Sequence, residues 1–276
     1  MIDHGLLRQQ LLQIAREAGE AILGFYNHDH RLLVQQKADH TPVTEADLAA
    51  HRLIEASLTH LTPDIPVLSE ESTAIDHQQR LRWQRYWLVD PLDGTKEFIK
   101  GNGEFTVNIA LIEGGRPVLG VVHVPVSGAT YSGCHRLGAF KRLANGREQA
   151  IHSRPLNRYR PLDVVVSRSH ADPRLAACLA PLKAVAPLSL TGVGSSLKLC
   201  LIAEGMADLH LRLGPTSEWD TAAAQIVLEA GGGLVTDLWL QPLRYNRGES
   251  LLNPDFFACG DRHFPWADYL HPPPRV

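Results

Sequence analysis

The stretch Tyr86-Trp87-Leu88-Val89-Asp90-Pro91-Leu92-Asp93-Gly94-Thr95-Lys96-Glu97-Phe98 constrains the fold more than any other part of the chain. Four large apolar or aromatic residues suit a buried strand, and two carboxylates, a proline, a glycine and a threonine follow at once. Pro91 has no backbone N–H and breaks a central strand, so the stretch predicts a turn between Asp90 and Asp93 that aims both carboxylates into one pocket. Buried strand ends are where ligand sites are usually built. Hard cations such as Mg2+ take oxygen ligands of this kind, and the Leu92 carbonyl offers a third. An acid-rich surface turn explains the same five residues when they are taken alone.

With 276 residues the chain is long enough for one large domain or two ordinary ones. Its 27 Lys and Arg against 30 Asp and Glu give a net charge of -3, which provides no general attraction for a nucleic-acid polymer. Cys134, Cys178, Cys200 and Cys259 form no CxxC pair, so neither a zinc cluster nor a disulfide framework is indicated. They fit a reduced compartment. Met1-Ile2-Asp3-His4 leads into a polar-interrupted helix rather than a basic and apolar leader, and the apolar runs fall short of the roughly 20 residues of a membrane span. Cytoplasm is the expectation.

In chain order, Leu7, Leu11, Ile14, Ala18 and Ile22 mark one apolar stripe on a helix over about residues 4–26. Residues 29–40 read as extended or turn. Thr44-Glu45-Ala46-Asp47 opens a second helix with Thr44 as N-cap and Asp47 at the capping-box position. Ile65 to Leu68 suggests a short strand ending in the acids Glu70 and Glu71, and residues 73–85 show no apolar periodicity and read as a mobile or surface segment. Phe105 to Ile112 and Val118 to Val126 predict an antiparallel hairpin across Glu113-Gly114-Gly115-Arg116-Pro117, and Thr130-Tyr131 with Gly138 to Lys141 allow another. Residues 1–150 thus read as two helices on an antiparallel sheet, bounded by the polar stretch Asn145 to Arg160.

Residues 151–276 change to an α/β rhythm. Asp163 to Ser167 and Leu182 to Leu188 read as strands, Pro173 to Leu179 as a helix, and Gly192 to Ser196 as a glycine-rich loop opening a helix, whose amides suit a phosphate. Ala207 to Leu213 reads as a strand. Asp220 stands at the start of a small-residue helix that runs to Ala230, an ordinary place for a capping aspartate.

Asp47, Glu70-Glu71, Asp90 to Thr95, and Trp219-Asp220 with Ala223-Ala224 follow one another in an order that resembles the lithium-sensitive, magnesium-dependent phosphomonoesterases of the inositol monophosphatase superfamily. The resemblance spans essentially the whole chain and implies a five-layer αβαβα sandwich. It implies that Glu70, Asp90 and the Leu92 carbonyl bind a first Mg2+ and that Asp90, Asp93 and Asp220 bind a second. Glu70 also faces any third, weakly held ion. Thr95, paired with Asp47, and Glu70 would then activate a water. The amides of Gly94 and Thr95 would hold phosphate oxygens, with Asp93 and Asp220 bordering the substrate.

Within the superfamily the chain looks most like the bacterial 3'(2'),5'-bisphosphate nucleotidases, which cleave adenosine 3',5'-bisphosphate to AMP and phosphate. Lys96-Glu97-Phe98, Gly194-Ser195-Ser196-Leu197-Lys198 and Gly214 to Asp220 carry that likeness, together with Asn253-Pro254. Lys96 and Ser196 stand where inositol monophosphatases more often show other residues. A second phosphate needs a second polar pocket, for which Gly194, Ser195, Ser196 and Lys198 are the candidates. An inositol or sugar monophosphatase with the same metal chemistry is the alternative. The resemblance further implies a role in disposing of a by-product of sulfate activation, a monomer or homodimer, and peripheral contact with the inner membrane in some relatives.

Overall fold

The computed structural model describes residues 3–26, 35–36, 42–72, 75–169 and 172–270. Most of the 29–40 stretch and the Pro272-Pro273-Pro274 tail lie outside them. In order, the elements of the first half are α1 (His4–Tyr26), β1 (Gln35–Gln36), β2 (Pro42–Val43), α2 (Glu45–Leu61), β3 (Val67–Ser69), α3 (His77–Arg80), β4 (Arg85–Asp93), α4 (Thr95–Lys100), β5 (Thr106–Glu113), β6 (Arg116–Val124), β7 (Ala129–Cys134), β8 (Gly138–Arg142) and β9 (Glu148–Ile151). The second half contributes β10 (Leu162–Ser167), α5 (Leu175–Leu179), β11 (Leu188–Val193), α6 (Leu197–Ala203), β12 (Leu209–Arg212), α7 (Glu218–Ala230), β13 (Leu234–Asp237) and β14 (Phe256–Cys259).

Strands β3 to β9 form a seven-stranded sheet in sequence order, and the second sheet runs β11-β10-β12-β14-β13. The first sheet is antiparallel except for the parallel β3/β4 pair. Period-two alternation sends Trp87, Val89, Val107, Ile109 and Leu111 to one face, against Leu11, Ala15, Ala18, Ala50 and Ile54 of α1 and α2. Tyr86, Leu88, Ala110, Ile112 and Val122 point to the other face, into a core shared with Cys200, Ala223, Val227, Phe256 and Ala258. Leu162, Val164, Leu209, Leu211 and Phe257 face outward from the second sheet onto Leu179, Leu182 and Trp266. Helices α1 and α2, the first sheet, helices α6 and α7, the second sheet and an outer helical cover are therefore five successive layers, as expected.

The middle layer is tight because the strands beneath it lack side chains at two places. A Cβ on Gly120 would stand 2.4 Å from Ile226 Cγ2, and one on Gly133 would stand 2.5 Å from the Val227 Cα. The small residues Ala222 to Ala224 complete that close approach, since all three are buried.

Four local expectations change. Pro91 does not end β4: the strand continues to Asp93 across a register shift between Asp90 and Asp93, a bulge where a proline is tolerated. The 73–85 segment is anchored rather than loose where it is described. Arg80 is 3 % exposed, and its Nη1 donates to Asn246 Oδ1 at 2.6 Å. Polar anchoring of that kind leaves no apolar period to read. Residues 180–184 form a 3-10 turn and the next strand begins only at Leu188. Asp220 is the third residue of α7, with Ser217 as the N-cap. Among the described residues no helix is long and apolar enough to cross a membrane.

Candidate active site

A cavity of about 240 Å³ opens where the bulge of β4, the start of α4, the loop before α6, the end of β12 and the start of α7 meet. Glu70, Asp90, Leu92, Asp93, Gly94, Thr95, Gly194, Ser195, Ser196, Lys198 and Asp220 all line it. Residues separated by up to 150 positions in the sequence are thus brought to one place. Asp47 stands behind Thr95, whose hydroxyl donates to Asp47 Oδ1 at 3.4 Å.

Each acid is aimed by hydrogen bonds from its own neighbourhood. Asp90 Oδ1 accepts from the Leu92 amide at 3.0 Å, which the bulge makes possible by folding the chain back over the carboxylate. Asp220 Oδ2 accepts from the Ser217 amide at 2.9 Å in a capping box, so one side chain both starts the helix and reaches the cavity. Asp47 caps α2 in the same way, with the Thr44 amide at 2.8 Å, and meets Thr95 from behind the cavity. Asp93 is held from the second half of the chain: its Oδ2 accepts from the Ser196 amide at 2.6 Å and lies 2.7 Å from the Ser196 hydroxyl. That hydroxyl also lies 2.5 Å from the Asp220 carbonyl and accepts from Asn108 Nδ2 at 2.8 Å.

The cost of this gathering is electrostatic. Burial pushes Asp90 well above the usual carboxylate range, and repulsion from Glu70, Asp93, Asp220 and Asp47 adds to it. Asp220 is raised in the same way, by burial and then by Asp93 and Glu70. Burial also raises Asp93 and Asp47, although Lys198 and the Ser196 hydrogen bonds partly offset the shift on Asp93. Buried and half-buried carboxylates that repel one another call for a cation, and an all-oxygen set is the donor chemistry of a hard divalent ion. Among the described residues no three His, Cys, Asp or Glu side chains converge on a single point where an ion would sit. The amides of Leu92, Ser196 and Ser217 each engage one oxygen of Asp90, Asp93 and Asp220. The residues fit a divalent cation in charge and donor type.

On the opposite side the loop before α6 is strapped down. The Gly194 amide donates to Glu104 Oε2 at 2.7 Å, and Arg168 pairs with Glu104 at 2.7 Å. Only glycine permits that approach, because a Cβ at position 194 would stand 2.6 Å from the Glu104 carbonyl. Ser195 adopts a left-handed φ of 46°. Lys198 Nζ donates to the carbonyls of Ser195 at 2.6 Å and Val193 at 3.3 Å, and burial lowers it to about 8. The donors of Gly194, Ser196 and Lys198 are thus engaged with the protein as well as bordering the cavity.

A model of the inositol monophosphatase family matches residues 6–261. The chain belongs to the inositol monophosphatase family. Among the family's members it is 52% identical over 247 residues to the 3'(2'),5'-bisphosphate nucleotidase CysQ of Escherichia coli strain K12, covering 90% of this chain and 97% of that protein. It is 39% identical over 261 residues to the CysQ of Haemophilus influenzae strain Rd, covering 94% and 95%. The crystal structure of CysQ from Bacteroides thetaiotaomicron superposes with a TM-score of 0.79 at 38% identity, over 92% of this chain and 97% of that one. An inositol monophosphatase from Zymomonas mobilis gives 0.74 at 27% identity, over 95% and 96%.

Sequence reasoning passed over several cavity residues of this family member. Ser167, His210, Arg212, Thr216, Thr221 and Phe256 also line the cavity, and Asn108 braces Ser196 from beneath. Ser167, His210, Arg212, Phe256 and Asn108 lie on strands without a motif, Thr221 follows Asp220 on α7, and Thr216 lies within the Gly214 to Asp220 stretch, which assigns it no role of its own. The one available signal was a cation, Arg212, ending a strand just before Gly214-Pro215.

Proposed function

We propose that the protein is a Mg2+-dependent phosphomonoesterase that hydrolyses adenosine 3',5'-bisphosphate to AMP and phosphate, with 3'-phosphoadenylyl sulfate as a further substrate of the same kind. The observation that carries the reading is the joint one: acids gathered from both halves of the chain around one cavity, in a chain 52% identical to a CysQ nucleotidase over 90% of its length. Cytoplasm, where that nucleotide by-product would arise, is the proposed location.

Glu70, Asp90, the Leu92 carbonyl, Asp93 and Asp220 would hold two or three Mg2+ ions. When bound, the metal supplies positive charge at the phosphate and lowers the pKa of a bound water. The chain's own residues then divide the remaining work. Thr95, hydrogen-bonded to Asp47, orients the attacking water, and Glu70 accepts its proton. The Gly94 and Thr95 amides open α4 and donate to phosphate oxygens, and Gly94 is suited to that approach by its φ of 95°. Asp93 and Asp220 border the sugar side. Gly194, Ser195, Ser196 and Lys198 shape the wall that faces the rest of the nucleotide. The engagement of Asp93 by Ser196 supports a design in which the recognition wall also positions a metal ligand.

The second reading is an inositol or sugar monophosphatase using the same acids, favoured by the likeness to the Zymomonas mobilis enzyme. Phosphate release from adenosine 3',5'-bisphosphate and from inositol 1-phosphate, with and without Mg2+, separates the two. The expected result is a Mg2+-dependent preference for the nucleotide. Preference for the inositol ester would replace the substrate and keep the site.

A further inference from the structure

The loop between β13 and β14, residues 238–255, has no helix or strand of its own, and connections of that length are usually functional. It closes on the first turn of α7 from several directions. The Asn246 amide donates to both oxygens of Glu218, at 2.8 and 2.9 Å, and the Leu251 carbonyl accepts from the Glu218 amide at 2.8 Å. Asn253 donates from Nδ2 to the Ser217 carbonyl at 2.7 Å and from its amide to the Thr216 carbonyl at 2.8 Å. A helix leaves its first amides without partners of its own, and here the loop supplies one. Asp220 sits in the turn so held and spends one oxygen on the Ser217 amide, so its carboxylate goes where residues 217 and 218 go.

The loop is in turn gripped from the first half of the chain. Arg80, the last residue of α3, donates from Nη1 to Asn246 Oδ1 at 2.6 Å and from Nη2 to the Glu249 carbonyl, and its own carbonyl accepts from Asn246 Nδ2 at 2.5 Å. Asn246 thus commits both ends of its side chain to Arg80 and its amide to Glu218. It does so with a left-handed φ of 55°, a conformation that asparagine and glycine tolerate and most residues avoid. All three residues are buried, and none of them lines the cavity. Burying a guanidinium is costly unless it is hydrogen-bonded, and an apolar side chain would fill the same space without that cost. What the polar group adds is a fixed position for its partners. Strand β4, which carries Asp90 and Asp93, begins soon after it at Arg85.

We infer that Arg80 and Asn246 are positioning residues that set Asp220 against Asp90 and Asp93 from outside the cavity, and so tune the affinity of the site for its divalent ion. The inference rests on the metal role proposed above for the acids and adds to it a latch between the two halves of the chain. Carboxylates that repel one another stay together only if the elements carrying them are tied. Ser196 ties Asp93 to the Asp220 carbonyl at the cavity wall, and the latch holds α7 to the segment that feeds β4. Such a tie acts on metal binding before it acts on chemistry, because a bound ion itself holds the acids together.

The test measures Mg2+ dependence in the wild type, Arg80→Gln, Arg80→Lys and Asn246→Gly, with Leu182→Ala of the outer core as a variant that loses stability elsewhere. Glycine at position 246 keeps the backbone conformation and removes the side chain. In Arg80→Gln and Asn246→Gly, the Mg2+ concentration for half-maximal phosphate release from adenosine 3',5'-bisphosphate is expected to rise about 10-fold or more. The Kd from calorimetric titration of Mg2+ into substrate-free protein should rise by a similar factor. At saturating Mg2+, kcat and the nucleotide KM should stay within about threefold of the wild type. Arg80→Lys, which keeps the charge and loses the fork, should fall between. Leu182→Ala should melt at a lower temperature and keep the wild-type Mg2+ requirement. An unchanged Mg2+ half-saturation and Kd in the latch variants, or an equal shift in Leu182→Ala, would overturn the positioning role and leave Arg80 as packing alone. If Arg80→Gln fails to fold, Asn246→Gly and Arg80→Lys still decide. A wild type that releases phosphate without Mg2+ and binds none overturns the metal reading, and the inference with it.

Discussion

The two sides of the cavity are built on opposite plans. On the acid side, carboxylates accept from backbone amides: Asp90 from Leu92, Asp220 from Ser217 and Asp47 from Thr44. On the basic side, cations donate to backbone carbonyls: Lys198 to Ser195 and Val193, and Arg212 to Pro215. Asp47 and Asp90 are buried, Asp93 and Asp220 are half-buried, and all four are raised in pKa. Lys198 is committed to two carbonyls and Arg212 to one, and both border the same space. The difference teaches that the acid side concentrates negative charge that only a cation can balance, whereas the basic side offers positive charge and donors to an anionic group in the same space. Ser196 joins the two sides, since it stands two residues before Lys198 and reaches both Asp93 and the Asp220 carbonyl.

The strongest way to break this division is Asp93→Asn. It removes a charge proposed to hold metal and weakens the link to Ser196, so kcat should fall about 1000-fold or more, equivalent to several kcal/mol of transition-state stabilisation. Circular dichroism and a thermal melt would establish that the fold survives. A loss below about tenfold would remove Asp93 from the metal set.

A pH experiment separates loss of the fold from loss of the site. His123 is buried on β6 against α1, its Nδ1 2.8 Å from the Thr130 hydroxyl, and burial lowers it to about 4. Below pH 6.5 the unfolded chain takes up a proton there, and the folded chain does not until about pH 4. Its share of stability is complete above pH 6.5 and shrinks toward pH 4, by at most about 3 kcal/mol. Urea midpoints at pH 7 and pH 5 should show the decline, and His123→Gln should flatten it.

Ser196→Ala tests the shared residue. Loss of a group that orients a metal ligand typically costs about 10- to 100-fold in activity or metal affinity, so the Mg2+ concentration for half-maximal rate should rise. A change in nucleotide KM alone would move Ser196 wholly to the recognition side. The smallest effect is expected from Ser195→Gly, which relieves a left-handed φ of 46° and should raise stability by up to about 1 kcal/mol in a urea titration. No gain would mean that the serine hydroxyl offsets the backbone strain.

What was legible in the sequence was local. The α1 stripe, the α2 capping box and the hairpins of the first sheet depend on residues a few positions apart, and they appear as read. The acids were legible because they stand at element ends. What escaped depends on distant partners. Asn108 matters through Ser196, 88 positions away, and Arg80 is buried by Asn246, 166 positions away. Strands β13 and β14 are four residues each, too short for a period to emerge, and they are defined by pairing with each other and with β12. Pro91 misled because a proline rule for flat strands does not hold at a bulge.

Helix α7 has a consequence for how this protein can be divided. It presses on Gly120 and Gly133 of one sheet, shares a core with Phe256 and Ala258 of the other, and carries Asp220 at its start. A cut in the link after Ile151 would leave the first fragment with a bare apolar sheet face and the second with the helix that fits it. Neither piece would be a smaller enzyme. Mixed together, the fragments would regain activity only on reassembly, so phosphate release would report the meeting of two proteins fused to them.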